Sequence, residues 1–309
     1  MESPFVDPGE PMIRTSPARR PRLVTAAVVA LVAATTLAGC SADGTSEGSD
    51  AGDQRGAASH AEGGSGVPEV PAEAGHVHGM ALDPVDGLLY LGTHAGTMLL
   101  DGDTIIRVGD ATIDLMGFTA AGPDHFYASG HPGPDDDLPD PVGLIESTDG
   151  GETWRSLSLA GESDFHTLGA AGTRIYGFDG QLVASKDGTD WAAGAAGVAP
   201  VSLAVDPVDP DRVVATTEQG PMVSEDGGLT FAHLEAAPLL VFVAWPAEDR
   251  LWGVGVDGAV HRSGDAGATW EQRGGVGASP AAFTAAGDTI AVATESQILT
   301  STDGGTTFT

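Results

Sequence analysis

Cysteine and basic residues are almost missing from this chain of 309 residues: Cys40 is the single cysteine, and 13 lysines and arginines stand against 44 acids. A single cysteine excludes an intrachain disulfide. The formal net charge of −31 excludes nucleic acid as a partner, because phosphate binding needs a basic surface, and it favours cations. Helical periodicity is absent outside an apolar run at 23–37, and that run is too short for a good membrane span.

The first 40 residues carry the features of an export signal. Four arginines precede the short apolar run, which is the arrangement typical of a secretory signal peptide. The run ends in Leu-Ala-Gly-Cys at 37–40, a tetrapeptide that resembles a bacterial lipobox. We therefore expect residues 1–39 to be removed and Cys40 to be lipidated, so that the protein is exported and anchored to the outer face of the cell membrane. Residues 40–75 are rich in small and acidic residues and are predicted to form a flexible tether.

One octet recurs five times along the rest of the chain, at spacings of 38 or 39 residues. The copies are S-T-D-G-G-E-T-W at 147–154, S-K-D-G-T-D-W at 185–191, S-E-D-G-G-L-T-F at 224–231, S-G-D-A-G-A-T-W at 263–270 and S-T-D-G-G-T-T-F at 301–308. Ser and Asp side chains can bond the amides of a tight turn, and glycine supplies positive φ. The closing aromatic residue begins the next strand and offers it an apolar face to bury. The constant period indicates an array of similar units.

The octet resembles the Asp-box, or BNR, repeat of sialidases, Vps10/sortilin propellers and photosystem II stability factors. Together with the motifs H-V-H-G, S-G-H-P and D-F-H, it resembles actinobacterial lipoproteins of the glycosylhydrolase-like kind. The resemblance implies a sialidase-like propeller. Residues 76–309 divide into six units of about 39 residues, which predicts an all-β, six-bladed β-propeller with Asp-box turns. The last unit stops within its fourth strand, and the segment at 67–71 could close the ring, although its prolines restrict it to an edge.

Strand order sorts the residues onto two faces of the predicted disc. The octets lie in the turns between third and fourth strands, and these turns define the octet face. Six residues before the octet serine, the opposite face carries an acid in each of the last four blades; these acids are Asp179, Glu218, Asp257 and Glu295. They are candidate ligand-binding residues, and ordinary turn chemistry, as in Asp257-Gly258, is the alternative interpretation.

Histidines are predicted to gather on this opposite face, here called the histidine face. The five are His76, His78, His94, His131 and His166, all at strand entries or second-to-third-strand turns of the first three blades. A single histidine is more often a structural residue than a ligand, so the prediction depends on their convergence. Clustered imidazoles predict a transition-metal site, with copper favoured if the thioethers of Met80 or Met116 join them and zinc if carboxylates do.

The resembled family also raises the question of glycoside hydrolysis. A sialidase needs three arginines around the substrate carboxylate, whereas Arg174, Arg212 and Arg250 are expected on the octet face and no arginine of the domain on the histidine face. Sialidase activity is therefore not expected. The leading prediction is a monomeric cell-surface binding module for a metal, a small ligand or a partner protein. The alternative is a glycoside hydrolase that acts on a neutral glycan through carboxylates of the histidine face.

Overall fold

A computed structural model describes residues 67–309. They form 23 strands and one short 3₁₀ helix, Ala72–Ala74, and the strands assemble into six antiparallel sheets. The predicted all-β, six-bladed propeller is confirmed. Within the described residues, no helix has the length and apolar character needed to cross a membrane. The predicted signal peptide, Cys40 and the tether up to residue 66 lie outside the described residues.

The strands follow one another in chain order within each blade. Blade one contains β1 (Val77–Leu82), β2 (Leu89–Thr93), β3 (Gly96–Asp101) and β4 (Thr104–Arg107), and blade two contains β5 (Asp114–Gly122), β6 (His125–His131), β7 (Leu144–Ser147) and β8 (Arg155–Ser158). Blade three contains β9 (Thr167–Ala171), β10 (Arg174–Phe178), β11 (Leu182–Ser185) and β12 (Trp191–Ala193), and blade four contains β13 (Ser202–Val205), β14 (Val213–Thr217), β15 (Gly220–Ser224) and β16 (Ala232–His233). Blade five contains β17 (Leu240–Ala247), β18 (Arg250–Gly255), β19 (Ala259–Ser263) and β20 (Glu271–Gly275), and blade six contains β21 (Ala282–Ala286), β22 (Thr289–Ala293) and β23 (Ile298–Ser301).

The first strand of each blade lies innermost and contacts the first strand of the next blade, and β21 contacts β1 to complete the ring. Neighbouring blades bury apolar clusters between them. Phe165 and Ile175 of the third blade, for example, pack against Tyr127 and Leu144 of the second, and all four side chains are almost fully buried. At about 25 cal/mol per Å² of apolar surface removed from water, these inter-blade clusters are the main stabilising contribution to the ring.

The outer edge of the last blade is completed by both ends of the described chain. Glu69 forms a β-bridge with Gln297, and Pro68 accepts a backbone hydrogen bond of 3.0 Å from the first residue of β23. Thr309 exchanges two backbone hydrogen bonds with the same strand further along. The segment at 67–71 therefore lies at an edge, as its prolines predict. Residues 67–75 belong to the propeller, so the folded part begins before the predicted residue 76.

The five octets form closely similar hydrogen-bonded turns. In the first, Ser147 Oγ donates to Asp149 Oδ1 (2.8 Å) and accepts from the amide of Gly151 (2.9 Å). The second carboxylate oxygen of Asp149 accepts from the Thr153 hydroxyl at 2.6 Å. Gly150 and Gly151 have φ values of 74° and 84°, which favour glycine. The closing Trp or Phe of every octet packs against a cluster between blades, as the sequence predicts.

Candidate functional site

All five predicted histidines lie on the histidine face, at strand ends opposite the octets. His76 and His78 begin the first blade, His94 occupies the turn between β2 and β3, His131 ends β6 and His166 precedes β9. The first three rings lie together, with centroids 4.5, 5.4 and 6.3 Å apart. The other two histidines approach a shared aspartate instead. The structure thus divides the predicted cluster into two groups.

The first group centres on His94. Its Nδ1 lies 2.8 Å from Asp114 Oδ1. Because an ionised carboxylate can only accept, Nδ1 carries the hydrogen and the neutral ring presents a lone pair at Nε2. That Nε2 lies 3.3 Å from Nε2 of His78. Among the described residues, His78, His94 and Asp114 each offer a ligand atom within 4.8 Å of the other two.

The spacing of the two imidazole nitrogens suits a shared metal ion. Metal–nitrogen bonds of about 2 Å in a tetrahedral site place two nitrogens roughly 3.3 Å apart. The separation of 3.3 Å between His78 and His94 matches this edge of the tetrahedron. The ring of His76 lies beside both, with its centroid 5.4 Å from that of His94 and 6.3 Å from that of His78. The carboxylate of Asp114 behind His94 is the kind of outer partner that orients a metal-binding imidazole.

Backbone packing holds His94 in this position. Gly75 has a φ of 68°, and a Cβ built at this residue would lie 2.8 Å from His94 Cδ2. The glycine therefore allows the chain that enters the first blade to lie directly against the imidazole, in a conformation that other residues rarely adopt. The position of His94 follows both from the Asp114 hydrogen bond and from this contact.

The protonation state of His78 suits metal binding. Burial lowers the pKa of His78, and the neighbouring His94, His76 and His166 lower it further, whereas Asp114 raises it. His78 is therefore neutral at pH 7, and the neutral imidazole is the form that coordinates a metal. Metal binding at this position would therefore release few protons from His78.

The second group contains His131 and His166, which both face Asp164. Their Nε2 atoms lie 3.3 and 3.5 Å from Asp164 Oδ2. His131 Nδ1 also lies 2.7 Å from Asp140 Oδ1, and Asp140 belongs to the acidic insertion at 132–141. The Asp140 hydrogen bond raises the pKa of His131, while burial opposes it. Among the described residues, only His78, His94 and Asp114 have ligand atoms close enough together to share a metal ion. The other three predicted histidines, His76, His131 and His166, lie outside this group.

Three aspartates of these groups were missed by sequence reasoning. Asp114 is the first residue of β5 and pairs directly with His131 across the sheet. Asp164 stands two residues before His166 in the D-F-H motif, at a strand entry on the histidine face. Asp140 lies in the insertion at 132–141, which has no counterpart in the other blades. Asp114 and Asp164 could have been predicted, because both stand at strand entries on the histidine face, where carboxylates were not considered alongside histidines.

The four predicted acids, Asp179, Glu218, Asp257 and Glu295, are all exposed on the histidine face. Asp257 Oδ1 accepts a hydrogen bond of 3.1 Å from the amide of Ala259, which is ordinary turn chemistry. None of these four lines the central cavity. Glu295 and His76 both line a smaller cavity of about 370 Å³ beside the first and last blades.

Two further expectations are modified by the structure. Met80 is 6% exposed and packs in the apolar cluster between the first and last blades, which accounts for its position, while Met116 is half-buried in β5.

Arg107 ends β4 on the histidine face, and its guanidinium donates to the carbonyl of Ala95 beside His94. The expectation that no arginine reaches this face is therefore wrong, because the fourth strand of a blade ends there.

A cavity of about 940 Å³ is lined by the innermost strands of all six blades. Its lining is made largely of small residues, among them Ala120, Ala170 and Ala285. His78 and His166, one from each histidine group, also line this cavity. A ligand in the cavity would therefore have access to both groups.

The fold defines the chain as a six-bladed β-propeller; no family model and no curated protein sequence matches it. Among solved structures, it is similar to a gluconolactonase of Xanthomonas campestris, with a TM-score of 0.56 and 14% identity over 74% of this chain and 86% of that one. It is also similar to a chain of a nidogen–laminin complex, with a TM-score of 0.53 and 14% identity over 72% of this chain and 91% of that one.

A third similar structure is the GH74 enzyme of Niastella koreensis, with a TM-score of 0.51 and 17% identity over 76% of this chain. This chain spans only 45% of the length of that enzyme. At such identities, the likeness shows the propeller fold and does not transfer an activity.

Proposed function

We propose that this protein is an exported, lipid-anchored propeller that binds a transition-metal ion, copper or zinc, at the His78–His94 pair of the histidine face. The observation that carries the proposal is the 3.3 Å approach of two imidazole Nε2 atoms, one of which has its tautomer set by Asp114. His76 and a solvent molecule would complete the ligand set, with Asp114 orienting His94 from behind. The net charge of −31 supports the proposal because it raises the local concentration of cations without selecting among them.

Export and anchoring are proposed from the N-terminal sequence. A lipid at Cys40 would hold the propeller outside the membrane, on a tether that ends where residues 67–71 join the ring. The protein would act as a monomer, because the ring is closed by its own chain. Its partners would be a cation together with a small ligand or a protein that completes the coordination of the ion.

Titration calorimetry with Zn(II) and with Cu(II) at pH 7.5 tests the metal site on the purified protein. We expect His94→Ala to weaken binding at least 100-fold, because it removes a ligand and with it the contribution of the Asp114 carboxylate. Asp114→Asn should weaken binding about 10- to 100-fold, since the ligand stays and only its orienting partner changes. His233→Ala changes an exposed histidine on β16, and it serves as the control that should bind as the wild type does. Equal affinity in the wild type and in a folded His78→Ala/His94→Ala variant would refute the site.

The glycoside hydrolase that the sequence left as an alternative is supported by the propeller fold shared with the GH74 enzyme. Its predicted carboxylates do not line the central cavity, and for this reason we place it second. Turnover of a neutral chromogenic glycoside that is lost in Glu218→Gln, with metal binding unchanged, would reverse this order.

A further inference from the structure

Three apolar side chains project from the histidine face in blades four and five. Val201 and Leu239 stand at the entries to β13 and β17, and Val256 lies in the turn between β18 and β19. They are 47%, 77% and 65% exposed, respectively. Exposed apolar residues that are scattered singly need no explanation, whereas a continuous group of them marks an interaction surface. The meaning of the three therefore depends on whether they are neighbours.

Leu239 and Val256 are neighbours across two strands of blade five. Leu240 pairs directly with Gly255 in the antiparallel sheet, so the residues just beyond that pair lie side by side. A Cβ built at Gly255 would lie 3.1 Å from the carbonyl oxygen of Leu239. The backbone that carries Leu239 thus lies against the turn that carries Val256, and the two residues contribute to one exposed apolar surface.

Val201 joins this surface from the neighbouring blade. Its amide donates to the carbonyl of Thr216 at 2.8 Å, and the Thr216 hydroxyl donates to the carbonyl of Val241, two residues after Leu239, at 2.6 Å. A proline immediately precedes both Val201 and Leu239, and its fixed φ restricts the backbone that presents each side chain. Val201, Leu239 and Val256 are here called the apolar patch.

The shape of the apolar patch fits a protein partner better than a small ligand. Sites for small molecules are concave and enclose most of the ligand. Leu239 and Val256 are 77% and 65% exposed, so they project outward, and the partner has to supply the surface that covers them. The core of a protein interface is packed as densely as a protein interior, with polar residues around it. Projecting apolar side chains with a polar surround match that arrangement.

The surround of the apolar patch is acidic. Glu218 stands in the turn that follows the strand paired with the entry of Val201, and Asp257 directly follows Val256; both acids are exposed. In the described part of the chain, the arginines of blades four and five bond partners on the octet face; they are Arg212, Arg250, Arg262 and Arg273. The charge around the patch is therefore negative, and a complementary partner carries positive charge around an apolar centre.

We propose that the apolar patch is the docking surface for a protein segment whose apolar centre is flanked by lysine or arginine. The apolar centre would cover Leu239 and Val256, and the basic flanks would meet Glu218 and Asp257. Val201 also lines the central cavity, so the docked segment would lie at the mouth of the channel. The interface uses none of the proposed metal ligands and does not depend on a bound ion.

An array of synthetic peptides tests this interface on the purified protein, with EDTA present so that no metal contributes. The first set of peptides carries leucine or phenylalanine between lysines or arginines. A second set replaces the apolar centre with serine, and a third replaces the basic flanks with glutamate. We expect the protein to bind the first set in preference to the other two, and to bind it more weakly as the salt concentration rises.

Matched variants locate the binding surface. Leu239→Ser/Val256→Ser should weaken binding of the first set by about 10-fold or more, because two apolar contacts are lost. Val85→Ser/Val208→Ser makes the same change at residues of the octet face that are equally exposed, 77% and 65%, and it should bind as the wild type does. Circular dichroism verifies that both variants are folded.

A second pair of variants tests the acidic surround. Glu218→Gln/Asp257→Asn should weaken binding of the first set and reduce its dependence on salt. Asp101→Asn/Asp103→Asn removes the same charge from an exposed turn of the octet face and should change neither. Equal effects of the two pairs would overturn the complementary basic flanks, since the net charge of −31 would then account for the attraction.

Three other results would overturn the docking surface itself. The first is a wild type that binds none of the first set, or that binds serine-centred peptides as tightly. The second is equal binding by the wild type and the folded Leu239→Ser/Val256→Ser variant. The third is dimerisation, or binding to phosphatidylcholine vesicles, that is lost in the same variant, because the patch would then belong to a second copy of the chain or to the membrane.

Discussion

The two faces of this propeller use the same kinds of polar side chain in opposite ways. On the octet face, Asp226 is committed to its own turn, since its two oxygens accept from Ser224, Leu229 and Thr230. On the histidine face, Asp164 reaches across to a neighbouring blade and leaves one buried oxygen without a described partner. Polar groups that satisfy one another within a turn stabilise the fold, whereas polar groups that converge from different blades are available for a ligand.

Repetition follows the same division. The octet face presents nearly the same residues and the same hydrogen bonds five times. At the equivalent turn of the histidine face, the first blade has His94, the second has His131 and the others have acids. A turn that is repeated in five of the six blades serves the architecture. A position that departs from the repeat in two neighbouring blades is a better place to look for function.

The largest effect expected from breaking this division comes from the octet serines. Ser224 is 1% exposed, and its hydroxyl accepts from the amide of Gly228 at 2.9 Å and donates to Asp226. Ser224→Ala leaves a buried amide unsatisfied, so we expect the free energy of unfolding to fall by about 1–3 kcal/mol. Urea denaturation measures the loss, and metal affinity at the other face should not change.

Ser296→Ala is the matched control, because Ser296 is exposed and lies on the histidine face. Its free energy of unfolding should stay within about 0.5 kcal/mol of the wild type. If the octet variant were as stable as this control, the hydrogen bonds of the octet would not be the stabilising feature that the comparison of the faces requires.

The fold was predictable because its signals are local and repeated. The octets place Ser147 and its four counterparts at the ends of third strands, and this fixes which residues share a face without any tertiary information. The boundary at residue 76 was less accurate, because residues 67–71 contain prolines and few large apolar side chains. Their place depends on pairing with Gln297, more than 220 positions away along the chain, and no local pattern reports such a contact.

The candidate site was predictable only as a set of histidines. Strand order brought His94 and His131 to one face, but it could not show that their rings turn toward different partners. The direction of each ring depends on its carboxylate partner: Asp114 accepts from Nδ1 of His94, and Asp140 accepts from Nδ1 of His131. Asp140 comes from the insertion that has no counterpart in the other blades, so the repeat gives no register for it. Side-chain direction at the ends of strands is decided by such contacts rather than by periodicity.

Acid should destabilise the turns of the octet face, because their aspartates have lowered pKa values. Hydrogen bonds from Thr230 lower the pKa of Asp226 to about 2, and backbone hydrogen bonds from Asp190 and Thr189 lower that of Asp187 to about 2. The unfolded carboxyls titrate near 4, so their contribution to stability is fully present above about pH 4 and is lost as the pH falls toward 2.

Urea midpoints measured at pH 6, 4 and 2 test this dependence. We expect the decrease between pH 4 and pH 2 to be shallower in Asp226→Asn, which keeps an accepting oxygen but does not titrate. Asp137→Asn removes an exposed acid of the insertion and should leave the slope as in the wild type. A slope that is the same in all three proteins would show that acid acts elsewhere.

The smallest effect sharpens the contrast within the histidine face. His78 has a lowered pKa because of burial, whereas His131 has a raised pKa because Asp140 accepts its Nδ1 hydrogen. In the metal-free protein, NMR should therefore show His131 titrating above 6.5 and His78 below it. The two contribute to stability with opposite signs: the His131 term is present below pH 6.5 and is lost as the pH rises through its folded pKa, whereas protonation of His78 favours unfolding as the pH falls below 6.5. Asp140→Asn should lower the pKa of His131 and leave the pKa of His78 unchanged. Asp137→Asn removes the same charge from the same insertion without breaking that bond, so an equal decrease in both variants would assign the shift to overall charge rather than to the Asp140 contact.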